Sequence, residues 1–479
     1  MTAPASTTRS ISVPPTGIVW FRKDLRLADH LPLLEGSRNC ARLCPVFVTS
    51  TWSGSHDWTG SNRQQFLCGS LASLDRSLRG IGGSLVIRRG PPAVAIERLI
   101  LESGAGELYF QRDSDPHARA AERAVESVCA RLGVRVRAYH DATLQPPEAV
   151  LTDEGKCFRV FTPFWRKWAE QPVAPVVPAV AAIRLPDGIH SDPLPTIATW
   201  GLAPSGAKLL PAGEGTARER LRAALEKMAD YGTNRDSLAM EGTSRLSQDL
   251  RFGLLSARTV VTAAREAMAA ADPRQQAGFA AFIRQVAWRD FYYAILHHVP
   301  ETLTNGFAPQ WRGLPWDGTD ESLAAWQHGR TGFPLVDAGM RELLASGHMH
   351  NRTRMITAMF LTKDLRHHWA AGESWFMRHL TDGDTAPNNG GWQWCAGTGA
   401  DAAPYFRIQN PWLQSARHDP QGTYIKRWLP ELARVEPSRL HQPPPDGRPL
   451  ADGYPLPIVD HHAERTRTLA MFKRHQAER

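Results

Sequence analysis

The run Asp382-Gly383-Asp384-Thr385-Ala386-Pro387-Asn388-Asn389-Gly390-Gly391-Trp392-Gln393-Trp394 gathers more chemical capacity than any other stretch of the chain. Its two carboxylates, one residue apart, lead into a Pro-Asn-Asn-Gly-Gly segment with the composition of a turn and helix cap. Two indoles follow, also one residue apart. Beside paired carboxylates and glycines that permit close backbone approach, they suit a grip on a large aromatic cofactor. A second constellation lies between Phe282 and Tyr293, where Gln285, Trp288, Arg289 and Tyr292 recur at i, i+3, i+4 and i+7. On a helix this sets an amide, an indole and a guanidinium side by side, a stripe able to stack on a base and pair with its phosphate. By itself it also describes a packed helix with a surface arginine. The third is Asn351-Arg352-Thr353-Arg354-Met355, where two arginines beside an amide at a helix start suit a pyrophosphate or a DNA phosphate; Asn is also an ordinary N-cap. Tyr231, Arg235 and the run Gly242-Thr243-Ser244-Arg245-Leu246-Ser247 add hydroxyls and guanidinium groups, facing either a phosphate or solvent.

These groups need two kinds of scaffold. From Gly17 to His140 short apolar runs (Gly17 to Phe21, Leu43 to Val48, Leu85 to Ile87, Glu107 to Phe110, Val134 to Tyr139) alternate with helical patterns. Phe66, Leu67, Leu71, Leu74 and Leu78 recur at helical spacing, Pro91 and Pro92 suit a first turn, and Gly133 suits a C-terminal cap. The alternation predicts a doubly wound, Rossmann-like parallel α/β domain over 16–145. No G-x-G-x-x-G follows the first strand, where Phe21 leads into Arg22, Lys23 and Asp24, so a dinucleotide dehydrogenase is disfavoured. Residues 146–215 read as an interdomain linker, rich in Pro, Ala, Gly and Val from Gln171 onward. Helical periodicity dominates 216–479, with segments at Thr216 to Tyr231, Thr259 to Ala271, Phe279 to His298, Asp337 to Ser346 and Asn351 to Trp369, which predicts an all-α second domain.

At 479 residues, 42% hydrophobic, the chain is long enough for two or three cores. A net charge of +8 and a pI near 9.3 favour a polyanionic partner. The six scattered cysteines lack a second pair at zinc spacing, which argues for reduced thiols and no metal. No apolar run reaches the ~18 residues of a membrane span. Met1 to Pro15 has no apolar signal core and reads as a disordered tail, so a cytoplasmic protein is expected. Ten of the sixteen tryptophans fall between Trp288 and Trp428, which concentrates the aromatic chemistry in the helical half.

Taken together and in order, these segments resemble the photolyase and cryptochrome family, most closely its class I cyclobutane pyrimidine dimer DNA photolyases. The match is carried by Trp20 to Arg26, Gly242 to Ser247, Trp288-Arg289-Asp290-Phe291, Met349 to Arg352 with Arg354 and Met355, Asp382 to Trp394, and Asp401 to Arg407, and it spans about Gly17 to His475. The resemblance implies an antenna-binding α/β domain and a helical domain holding FAD. It implies flavin contacts at Tyr231, Thr243, Ser244, Arg245, Leu246, Ser247, Arg354, Asp382 and Asp384, with the amide of Asn388 beside flavin N5. It implies a relay of Trp392, Trp369 and Trp316 that carries electrons from the surface, and contacts to the dimer or flanking DNA from Arg235, Trp288, Arg289, Asn351, Arg352, Met355, Trp394, Arg407 and Gln414.

In that family excited reduced flavin donates an electron to a flipped-out dimer, the ring opens and the electron returns; the lesion leaves the stack more cheaply than an intact pair. The chain departs from many relatives at Gln285, where a glutamate is usual; an amide still donates a hydrogen bond to a carbonyl but supplies no proton or charge. A (6-4) photolyase needs histidines where Asn351 and Met355 stand. The alternatives are a cryptochrome-like blue-light photoreceptor, which the absence of a long extension after the last motif disfavours, and a light-independent nucleic-acid binder. A second antenna chromophore is expected; Arg112-Asp113-Ser114-Asp115-Pro116 resembles the 8-hydroxy-5-deazaflavin type more than the methenyltetrahydrofolate type. The expected partner is UV-damaged DNA, met by a monomer with no membrane.

Overall fold

A computed structural model describes residues 16–54 and 56–478; the tail expected over Met1 to Pro15 lies outside them. Five strands, β1 (Thr16–Phe21), β2 (Arg42–Thr49), β3 (Val86–Arg89), β4 (Glu107–Gln111) and β5 (Arg135–Tyr139), form one parallel sheet in the order β3-β2-β1-β4-β5. The central strands are apolar on both faces because both are covered. Along β1, Ile18 and Trp20 enter one core, while Val19 and Phe21 enter another that continues into the helical half through Leu246, Phe252, Phe282 and Phe291. The two halves therefore share a hydrophobic core.

In a doubly wound fold the crevice at the carboxyl ends of the strands, where strand order reverses, is the usual ligand site. Here it lies between β1 and β4, and polar side chains fill it. Lys23 pairs with Asp113 at 2.9 Å and lies 3.8 Å from Asp384 of the helical half, while Arg22 pairs with Glu122. This edge of the sheet docks onto the second domain.

The segment anticipated as linker is more structured than its composition suggests. Helix Phe161–Glu170 lies within it and packs on the long helix Pro273–His298. Farther on, the chain straps the sheet domain through Ile183 N–H to Ile81 O, Leu43 N–H to Arg184 O and Asp192 N–H to Ile87 O. It then buries Trp200 in a 3-10 turn, Ile197–Trp200. Beyond it the described residues form helices. The pattern read as one helix from Asn351 to Trp369 is broken: Asn351–Met359 widens into a π-turn, Phe360–Asp364, and a new helix, Trp369–His379, starts at the His368 cap. The widened turn draws the Lys363 ammonium inward, onto the Ala396 carbonyl at 2.7 Å and the Phe472 ring. Apolar spacing does not register such an insertion.

Candidate active site

The carboxylate pair of the Asp382 run divides its work. Asp382 accepts two bonds from Arg354 Nη2, at 2.9 and 3.1 Å, and Arg354 Nε is tied to the Met349 carbonyl at 2.8 Å. Burial opposes ionisation of Asp382, yet Arg354 and His348 beside it, with the Ser247 hydroxyl, hold its carboxyl below the usual range. Asp384 points the other way: Tyr293 donates to it at 2.7 Å, and Lys23 and Arg289 stand within 4 Å. A polar recess lined by Arg245, Gln248, Gly347, His348, Thr381 and Asp382 lies on the Asp382 side. Leu246 is buried, Thr243 and Ser244 are half-buried, and Arg245 adopts a left-handed backbone, φ 55°. Tyr231 lies under the Arg235 guanidinium and edge-on to Phe282.

The fit to FAD can be judged from donors without acceptors. Nε of Arg245 is buried with no hydrogen-bond partner among the described residues, a costly state that an anionic phosphate or a polar ring edge would relieve; Nε of Arg235, a residue expected to face DNA, is likewise buried and unpartnered among them. With Asp382 and Arg354 already oriented, the donor set suits a dinucleotide.

Helices Pro273–His298 and Thr385–Ala396 cross closely and run antiparallel. Tyr293 meets Asp384 and Leu296 packs with Ala386, whereas Tyr292 lies against Gly390, where any Cβ would stand 2.0 Å from its ring. Trp288, one turn before Tyr292, and Trp394, one turn after Gly390, are thereby brought to the same end of the crossing. Trp288 stacks on Phe161 with centroids 3.7 Å apart and planes 10° from parallel. Gln285 lies half-buried one turn earlier, its amide reaching only the Ala281 carbonyl of its own helix.

Asn351 is exposed, and Met355 receives weak contacts from Asn351 and Arg352. Arg352, paired with Asp236 at 2.7 Å, lines a surface groove of about 1070 Å³ together with Arg407, Gln414, Arg417 and Arg465. Arg289 is the exception among the residues read as DNA contacts. Its guanidinium turns inward to the Ala142 carbonyl at 2.6 Å and the Tyr293 hydroxyl at 3.2 Å, so it braces the domain interface. The helix is enclosed on more than one side, and residues adjacent in sequence at 100° separation enter different environments.

Of the three tryptophans expected to form a relay, Trp392 and Trp369 are buried and Trp316 is half-exposed. The Trp392 ring lies flat on Gly372, one turn from Trp369 on the same helix. Between Trp369 and Trp316 stands the ring of His368, 5.0 and 5.8 Å from them, whose pKa burial lowers. Asn388 donates to the Glu373 carbonyl at 3.2 Å.

Residues 17–181 match the family model described as DNA photolyase, and residues 282–474 match the model described as the FAD binding domain of DNA photolyase. A deoxyribodipyrimidine photo-lyase of Halobacterium salinarum is 36% identical over 95% of this chain and 98% of its own. The chain belongs to the photolyase/cryptochrome family. Two solved photolyases share its architecture. A bacterial class III photolyase from Agrobacterium tumefaciens has a TM-score of 0.89 and 34% identity, covering 99% of this chain and all of that one. The archaeal photolyase from Sulfolobus tokodaii, solved with two FAD molecules, has a TM-score of 0.83 and 28% identity, covering 96% of this chain and all of that one. The class I reading is narrower than these likenesses.

Two residues near this photolyase site escaped the sequence reading. Phe161, the platform under Trp288, sits in the 146–215 stretch assigned to the interdomain linker. Glu373 is buried with no cation among the described residues acting on it; burial pushes its carboxyl up to about 8, against a smaller pull from Asn389. A carboxyl whose pKa is higher in the folded state than in the unfolded contributes stability that is full below the unfolded value, 4.5, and lost as pH rises toward 8. Glu373→Gln keeps a neutral group at every pH. Between pH 5 and 9 the wild type is expected to lose roughly 4 kcal/mol more stability to denaturant than the variant. Parallel pH profiles for the two would show that Glu373 ionises freely in the fold.

Proposed function

We infer that this protein repairs UV-damaged DNA in a light-driven reaction, splitting cyclobutane pyrimidine dimers with FAD as the redox cofactor. The observation that carries the reading is the helix crossing at Gly390, which sets Trp288 and Trp394 at one rim with the Asp382–Arg354 clamp on the same run. The two indoles offer flat apolar walls for a pair of fused pyrimidines out of the stack. Arg352, Arg407 and Gln414 would hold the phosphodiester backbone along their groove, with Asn351 and Met355 near the lesion. Tyr231, Thr243 to Ser247, Arg245, Arg354 and Asp382 would hold the cofactor, and Asn388 would present its amide to the flavin ring. FAD supplies the light absorption and the electron that ring opening requires, chemistry that no side chain here provides. The names of the curated relatives favour this over a photoreceptor role.

The deciding experiment is repair of a dimer-containing oligonucleotide in blue light against a dark control. Light-dependent restoration of intact thymines is expected; none from flavin-loaded protein would sink the reading. Gln285→Glu is expected to keep or raise the repair yield, because a glutamate is usual at this position in the family the chain resembles; a large loss would remove Gln285 from the lesion site.

We further propose an antenna chromophore in the α/β domain and a monomer acting in the cytoplasm. No helix among the described residues is long and apolar enough to cross a membrane. The residues that suggested a deazaflavin are engaged otherwise: Arg112 pairs with Glu126 at 2.8 Å, Asp113 with Lys23, and Asp115 caps helix Pro116–Leu132. The absorbance of chromophore released from purified protein identifies the antenna.

A further inference from the structure

We propose that Arg63, from the α/β domain, is a positioning residue for the flavin site: together with Arg251 it fixes the Gly383 carbonyl, and with it the orientation of Asp382 and Asp384 on either side. This rests on the FAD reading above. Arg63 lies in the first turn of helix Ser61–Arg79 and is buried to 3% exposure. Its guanidinium divides between two segments. Nη1 donates to the Gly383 carbonyl at 2.9 Å and touches Met377 Sδ at 3.8 Å. Nη2 donates to the Trp58 carbonyl and to Thr59 Oγ1 at 2.8 Å. From the helical half, Arg251 Nε donates to the same Gly383 carbonyl at 3.0 Å.

A carbonyl oxygen has two lone pairs, and here a guanidinium from each domain takes one. The Gly383 peptide is held against rotation, and its neighbours are the carboxylate that clamps Arg354 and the one that meets Tyr293 and Lys23. Glycine has more conformational freedom than any other residue, so the turn gains from being held. Other contacts from the same stretch of the α/β domain grip the neighbouring helix and not the turn. Asn62 Nδ2 donates to the His379 carbonyl at 2.6 Å, and Ser374 Oγ donates to the Asp57 carbonyl at 2.8 Å.

The planar fork is needed because Arg63 serves both segments at once, and a lysine reaching one would leave the other. Burial, with Arg251 close by, brings its pKa down to about 9, opposed by Asp384 and Asp382, so it remains a cation at neutral pH. It thus adds buried positive charge beside the two aspartates.

The test uses the FAD-loaded protein and compares Arg63→Ala, Arg63→Lys and Ser374→Ala. The readouts are the FAD dissociation constant, the fine structure of the bound-flavin absorbance band, the flavin midpoint potential and the melting temperature. Arg63→Ala is expected to weaken FAD binding at least about tenfold and to blur the band, and Arg63→Lys to shift both the same way by about threefold or more. Ser374→Ala, which loses an interdomain bond outside the turn, is expected to keep wild-type affinity, band shape and potential. If Arg63→Ala does not accumulate as folded protein, Arg63→Lys carries the test. The proposal is overturned if the arginine variants keep wild-type affinity, band and potential, or if Ser374→Ala weakens FAD as much as Arg63→Lys, which would make the effect one of general domain docking. Wild-type protein that takes up no FAD would overturn the underlying reading instead.

Discussion

Trp392→Phe is expected to abolish photoreduction of oxidised flavin while sparing repair by chemically reduced enzyme. The two activities use different parts of the site. On the reading proposed above, repair requires the lesion between Trp288 and Trp394 and a reduced cofactor, whereas photoreduction requires a path of aromatic rings to the surface. Trp392 is buried, stands on the run that carries Asn388, and packs edge-on against Phe376 at 4.9 Å and Trp326 at 5.9 Å. Trp369, His368 and Trp316 then continue outward. A phenylalanine fills most of the indole's space, and the Trp392 N–H has no hydrogen-bond partner among the described residues to forfeit, so the fold should tolerate the change at a cost of about 1–2 kcal/mol. Phenylalanine is far harder to oxidise. The measurement is the rate of flavin bleaching under blue light with an external reductant, beside the repair yield of dithionite-reduced enzyme. Unchanged bleaching would take Trp392 out of the relay; equal loss of both activities would make it a packing residue.

What sequence reading could reach depended on the range of the interactions involved. The strands of the first domain were legible because burial on both faces writes itself as an unbroken apolar run, as in Gly17 to Phe21. The Asp382 run was legible because its residues are neighbours in the chain. Arg289 misled because helical spacing says which residues share a face and not what that face meets: Trp288 met Phe161, and Arg289 met the Ala142 carbonyl. Phe161, His368 and Arg63 were illegible for a common reason. Each acts on residues far away in the sequence or through geometry that has no periodic signature, and the motif that would flag it is assembled only in three dimensions. The same holds for the crevice at the ends of β1 and β4. Its topology advertises a ligand, and its side chains fill it with ion pairs.

Asp382→Asn should release FAD, with a dissociation constant raised by about a hundredfold or more. Removing one partner of a buried ion pair costs on the order of 3–5 kcal/mol, since the other charge stays buried and uncompensated; the pair forms without cofactor, so part of that cost falls on stability, and a hundredfold loss of affinity takes about 2.8 kcal/mol of it. Here more than one cation loses its counter-charge. Arg354 donates to Asp382 directly, and the carboxylate also opposes the burial of Arg245 and Arg63. An asparagine of the same shape accepts on one side and presents two N–H donors on the other, turning like against like toward Arg354. Asp384→Asn supplies the comparison. Its carboxylate serves Tyr293 and Lys23 at the domain seam, so that variant should lower the melting temperature while retaining more FAD. Flavin-to-protein absorbance after gel filtration and melting curves with and without added FAD separate the two effects. Equal retention in both variants would mean that the carboxylates act as one unit through the Gly383 turn, and wild-type retention in Asp382→Asn would remove Asp382 from the cofactor site.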